Sequence, residues 1–262
     1  VGTDVLPHNE ELEHPDRPIH RTTFLENLLN PIITQPLRAI ILDTETTTNK
    51  DTPERPLEVI ELAWLPLVQE YFAFERRYKP KLPPTFGAIA VHGICMVDLE
   101  GCAPSAQAPK DVPQAQYWIG HNIDFDWKAL GSPPEVKRIC TLALSRELWP
   151  AVDSHTLTAM MYFTQGANDK TRAKVRNAHA ARHDCEFVLE LLQVIQAQTK
   201  CRELDDLWAM SEEARVPKKM TFGKFAGEPI SAVDKGYATW YSKQADADPY
   251  LLAAFRRQGL LR

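Results

Sequence analysis

The sequence predicts an α/β protein with a mixed sheet flanked by helices. Three observations predict it: three strand-like apolar runs at short spacing, then alternating strand and helix patterns, then one long segment with an apolar helical face. The first strands are Ala39–Asp43, Val59–Leu67 and Tyr71–Tyr78, joined by hairpin-like connections. Residues 79–116 hold many Pro, Gly and Ala, with one short helical pattern at Phe86–Val91. YWIGH (117–121) is a fourth strand, followed by a helix starting near Asp126. RICTLALSRELW (138–149) reads as a short strand running into a helix, and Ser154 is the expected N-cap of the next one. Asp184–Thr199 is the clearest helix, with Phe187, Val188, Leu191, Leu192 and Ile195 on one face. The tail, 216–262, has a Gly-containing basic turn, FGKFAGEP (222–229), and two short helical patterns around Tyr237–Lys243 and Tyr250–Arg257. FGKFAG lacks the spacing of a phosphate-binding P-loop. Residues 1–37, rich in Pro and charge, read as an extension with one short helical pattern at Phe24–Leu29.

At 262 residues, 44% hydrophobic and 25% charged, the chain has the composition of a globular protein with a real core. No apolar run reaches the roughly 18 residues of a membrane span, and the N-terminus has no signal-peptide pattern, so the expected compartment is the cytoplasm and no membrane partner is expected. Five cysteines without a C-x-x-C pair argue against a disulfide framework and a structural zinc site; Cys140 and Cys185 read as small core side chains. The net charge of −5 excludes a protein that coats nucleic acid over its whole surface, but not an enzyme acting on it. One local run, DKTRAKVRNAHAARHD (169–184), is basic and reads equally well as a solvated loop or a phosphate contact.

The informative stretch is AIILDTETTT (39–48). Side chains alternate along a strand, so Asp43 and Glu45 share a face, where two like charges repel unless a cation sits between them. The simpler alternative is that the strand ends there and both acids reach water. Two further clusters bear on the choice. HNIDFD (121–126) sets acids at the end of the fourth strand, and HAARHD (179–184) sets His179 and Asp184 at the mouth of the clearest helix. Five residues span about 140° of a helix, so those two converge only if His179 precedes the helix and Asp184 lies in its first turn. Acids gathered in one crevice without Arg or Lys suit Mg²⁺ or Mn²⁺, and an adjacent His suits a general base.

DTETT, HNIDFD and HAARHD, in that order, resemble the motifs of the DEDDh group of 3′–5′ exonucleases. RICTLALSRELWP (138–150), AVHGI (90–94) and MTFGKFAGEPISAV (220–233) sharpen the resemblance to its exonuclease X branch, from Arg38 to the C-terminus. The resemblance implies an RNase H-like exonuclease fold: a mixed five-stranded sheet flanked by helices at 38–205, with a small C-terminal helical module at 216–262. It implies two divalent metal ions, Mg²⁺ or Mn²⁺, held by Asp43, Glu45, Asp126 and Asp184, with His179 as general base. Asp124 then falls at a variable, solvated position, and His183 is set aside by the H-x-x-x-x-D spacing. Thr44, Thr46, His92, Asn122, Lys174 and Arg176 are candidate substrate contacts. Thr48 and Asn49 stand where the family commonly has Gly-Leu, a departure at the Leu that wedges against terminal bases in that family, which puts that wedge in question.

The implied activity is metal-dependent removal of 5′-mononucleotides from DNA 3′ ends, with single strands or 3′ overhangs as the nucleic-acid partner. An exoribonuclease of the same fold and a non-catalytic nucleic-acid-binding subunit are the alternatives. Residues 1–37 are a candidate for docking to a larger DNA-processing complex, and the oligomeric state is open, a homodimer included.

Overall fold

The computed structural model describes residues 37–67, 73–176, 179–244 and 246–262. The helical pattern at Phe24–Leu29 and the start of the third strand run, Tyr71–Phe72, lie outside the described residues. Six strands form one mixed sheet: β1 (Leu37–Thr46), β2 (Val59–Pro66), β3 (Phe74–Lys79), β4 (Ala103–Pro104), β5 (Ala115–Gly120) and β6 (Lys137–Cys140). Their order is β4-β3-β2-β1-β5-β6. β1–β2–β3 run antiparallel, whereas β5 and β6 lie parallel to β1 on its other side. The expected count of five is corrected to six. The extra strand is a two-residue piece paired parallel to the end of β3, too short to give an alternating pattern.

The helices are α1 (Phe86–His92), α2 (Ile123–Ala129), α3 (Thr141–Leu148), α4 (Leu157–Gln165), α5 (Asp169–Val175), α6 (Ala181–Thr199), α7 (Leu204–Arg215), α8 (Lys235–Tyr241) and α9 (Pro249–Arg257). Alternation along β1 divides the core. Ala39 and Ile41 pack with the inner face of α6, namely Cys185, Phe187, Val188, Leu191, Leu192 and Ile195. Ile40 and Leu42 pack on the opposite face with Ile123 and Leu130. Each fully buried side chain of this kind contributes ~1.5–3 kcal/mol. The odd-numbered phase continues to Asp43 and Glu45, so those acids face α6, whereas Thr44 faces α2.

Several ends differ from expectation for local reasons. Thr156, not Ser154, caps α4, accepting the Ala159 N–H; Ser154 is spent on Thr156 itself. α2 begins three residues before Asp126, because Asn122 takes a left-handed conformation (φ 71°) that turns β5 directly into the helix. α7 has no clear apolar period, since part of its buried side is polar. Ser211 Oγ accepts the Cys140 N–H at 2.8 Å and Arg215 donates to the Arg138 carbonyl at 2.8 Å. The helix thereby satisfies the backbone of the edge strand β6. The last segment holds its own cluster, built from Met220, Ile230, Val233, Tyr241, Leu251 and Phe255.

Candidate active site

β1 and β5 are parallel and end side by side, which opens a crevice at their carboxyl ends. Gly120 makes the junction close. A Cβ there would meet Ile123 Cδ1 at 2.8 Å and the Leu42 carbonyl at 3.0 Å, so only glycine lets α2 turn back against β1. Asp126, in the first turn of α2, is 3% exposed. Its Oδ1 accepts both the Thr44 N–H (2.9 Å) and the Thr44 hydroxyl (2.7 Å). Thr44 is thus committed to orienting Asp126, and the Thr46 hydroxyl donates to the Thr48 carbonyl at 2.9 Å. Both hydroxyl hydrogens are thus donated within the protein.

The third wall is the start of α6. His179 lies before the helix and Asp184 in its first turn, the arrangement the five-residue spacing requires. His179 adopts φ +67°, and its N–H donates to both Asp184 carboxylate oxygens at 3.3–3.4 Å. The exposed imidazole of His179, Glu45 and Asp184 bring one ligand atom each within 4.8 Å of one another.

A fifth acid was missed by the sequence reading. Glu61 stands opposite Glu45 in the β1–β2 register, next to a bulge that leaves Ile60 unpaired. It is 1% exposed; its carboxylate accepts Arg77 Nε at 2.7 Å and the Ala181 N–H at 3.0 Å. Glu61 therefore ties the first turn of α6 to the sheet. The signal was present in VIELAW: one acid inside an apolar run, in the phase that faces the core.

Asp43, Glu45, Asp126 and Asp184 have no ion pair with Lys or Arg among the described residues. Burial, followed by Asp126, Asp184, Glu45 and Glu61, holds the Asp43 carboxyl well above its usual range. Burial and the neighbouring acids push Glu45 to about 8. Burial raises Asp126 to about 7 against the pull of the Thr44 bonds, and burial raises Asp184 against the pull of His179. Such a set of oxygen donors, short of positive charge, fits a divalent cation.

The other expected residues are placed as follows. Asp124 is held by Arg138 and lies 3.6 Å from Arg215, a correction to the solvated position expected of it. His92 accepts the Ile94 N–H on Nδ1 (2.9 Å), while its Nε2 is buried without a partner among the described residues. Burial lowers its pKa. Asn122 is exposed at the start of α2. Lys174 is ion-paired with Glu190 of α6, while Arg176 is exposed without an ion pair among the described residues. His183 is part-buried beside Asp184, its Nδ1 without a partner among the described residues.

Among solved structures, the chain resembles exonuclease X in complex with 5′-overhanging duplex DNA, at a TM-score of 0.54 and 22% identity. That match covers 66% of this chain and 99% of the other. The chain shares the fold of that structure. The zinc-bound E. coli ExoI–ssDNA complex is similar too, at a TM-score of 0.53 and 16% identity over 67% of this chain and 43% of that one. The match thus spans less than half of that larger chain. No family model and no curated protein matches the sequence. Among the described residues, no helix is long and apolar enough to cross a membrane.

Proposed function

We propose that the chain is a metal-dependent 3′–5′ exonuclease that releases 5′-mononucleotides from DNA, preferring single-stranded 3′ ends. The observation that carries this is the convergence of Asp43, Glu45, Asp126 and Asp184 from β1, α2 and α6, without Lys or Arg partners among the described residues and with an exposed histidine beside Glu45 and Asp184. The likeness to two DNA-bound exonucleases supports the reading at the level of fold.

The four acids would hold Mg²⁺ or Mn²⁺, which when bound supplies positive charge against the phosphodiester and its leaving oxygen. The remaining work falls to the chain itself. His179, solvent-facing, accepts the proton of the attacking water. Asp184 fixes the His179 backbone, Thr44 fixes Asp126, and Glu61 fixes the turn that carries both His179 and Asp184. Part-buried His92, at the end of α1, is the candidate contact for the terminal nucleotide.

The test is single-stranded DNA labelled at its 5′ end, incubated with Mg²⁺, Mn²⁺ or EDTA. A metal-dependent ladder of shortening 5′-labelled products is expected, abolished in Asp43→Ala and His179→Ala. Residual turnover of Asp43→Ala within tenfold of the parent would overturn the assignment. An RNA strand of the same sequence, run alongside, decides the sugar preference.

A further inference from the structure

The cleft is acidic, and the basic run beside it spends Arg172 on Asp169, Lys174 on Glu190 and Arg182 on Glu186. Only Lys170 and Arg176 of that run are exposed without an ion pair among the described residues, so a strand several nucleotides long needs further contacts. Residues 216–262 contain eight Lys and Arg against four Asp and Glu, within a chain of net charge −5. Three of these cations are paired, Lys218 with Glu147, Arg257 with Glu213 and Lys224 with Asp234, whereas Lys219, Lys235, Lys243, Arg256 and Arg262 have no ion pair among the described residues.

The same segment exposes flat aromatic surface that its core does not use. A hollow of about 600 Å³ is lined by Phe222, Lys224, Tyr237, Trp240 and Tyr241. Phe222 is 43% exposed and Trp240 55%. The rings are held in fixed relation: Phe222 to Tyr241 at 5.7 Å between centroids, Tyr237 to Trp240 at 5.4 Å and Phe225 to Tyr237 at 5.2 Å. Lys224 Nζ lies 4.7 Å from the Phe225 ring and 5.6 Å from the Tyr237 ring, steadied by Asp234 at 2.9 Å. Gly223, at φ +71°, lets the turn close on Tyr237, whose Oη would lie 2.6 Å from any added Cβ. Of the acids, Asp234 and Asp248 are occupied as helix caps, and Asp246 also lines the hollow.

We propose that this hollow is a second nucleic-acid contact, a platform on which unpaired bases of single-stranded DNA stack while Lys224 and the unpaired cations elsewhere in the segment offset the phosphates. Every base presents a π-face, so such a platform is indifferent to sequence and requires strands that are not paired. An apolar peptide would use the rings but gain nothing from the positive excess. The choice of strand rests on the nuclease reading above; the stacking surface does not.

The full-length protein, held in EDTA so that nothing is cleaved, is titrated into a labelled oligothymidylate. Phe222→Ala/Trp240→Ala should weaken binding roughly tenfold or more, since each stacked base contributes about 1–3 kcal/mol. Phe222→Tyr/Trp240→Phe, which keeps the flat faces, should stay within about twofold of the parent. Both variants should hydrolyse a small aryl ester of thymidine 5′-phosphate with Mn²⁺ at the parent's rate, since that substrate has no bases to stack at a distance. Unchanged oligothymidylate affinity in the alanine variant overturns the platform and leaves the rings to a protein partner. Equal loss in the ring-keeping variant overturns it too, as a fault of folding. If the parent binds the strand but cleaves neither substrate, the nuclease reading fails and the platform stands.

Discussion

Glu61 and Glu45 face each other across β1 and β2, yet their surroundings give them different work. Both oxygens of Glu61 are taken, one by Arg77 and one by the Ala181 N–H, whereas Glu45 has no cation among the described residues. Glu61 is thus a positioning residue for the turn that carries His179 and Asp184. Glu61→Ala leaves the buried Ala181 N–H without an acceptor and releases the half-exposed Arg77 guanidinium to water, a loss of about 1–3 kcal/mol. Its turnover is expected to fall at least tenfold. Glu61→Gln keeps an acceptor for Ala181 and should retain activity within about tenfold of the parent, while Asp43→Asn should lose nearly all. Side-by-side kcat and melting temperatures check this, and a Glu61→Gln as inactive as Asp43→Asn would make Glu61 a metal ligand instead.

At the scale of elements, the described part of the basic run 169–184 is largely helical and not uniformly available to a ligand. Residues 169–175 form α5, capped by Asn168, and Lys174 ties that helix to Glu190 of α6. The pair is about one-third exposed, so Lys174→Ala should cost under about 1 kcal/mol. It should leave the salt dependence of activity unchanged. Lys170→Ala/Arg176→Ala, whose side chains are exposed, should flatten the log–log salt slope by about 1 to 2 if they meet phosphates. Activity measured from low to high salt separates the two variants. What could be read in advance follows the same division. Periodic elements were legible: the α6 face of Phe187, Val188, Leu191, Leu192 and Ile195 is buried as its spacing requires. Elements set by polar partners were not. α7 is held by Ser211 and Arg215 against an edge strand, and β4 is only two residues long. In the cleft, the acids that follow apolar runs announced themselves. Glu61, hidden inside one, and the arginines that hold Asp124 depend on which strands and helices become neighbours.

For the whole molecule, the crowded acids set how stability varies with pH. Glu45 is raised from 4.5 to about 8 and Asp126 from 3.8 to about 7, and Asp43 and Asp184 are raised as well. A carboxyl whose pKa is higher folded than unfolded binds more protons in the native state, so stability falls as pH rises between the two values. Burial shifts His121 down to about 4 and lowers His92, which works in the opposite direction but is complete above pH 6.5. Asp111, Asp205, Glu213 and Asp234 are lowered, so their contributions are lost only in acid. Between about pH 6.5 and 8 the cleft therefore acts without opposition from these groups. In EDTA the melting temperature should decline across that interval, with Glu45 alone contributing on the order of 2 kcal/mol. A divalent cation takes the place of those protons, so Mn²⁺ should raise the melting temperature more at pH 8 than at pH 6. Calorimetry at pH 7 in two buffers of different ionisation enthalpy should register protons released on binding. In Glu45→Gln the decline should be shallower and fewer protons should leave. A metal-free melting temperature that stays flat or climbs from pH 6.5 to 8 would mean that the four carboxylates do not share one desolvated site.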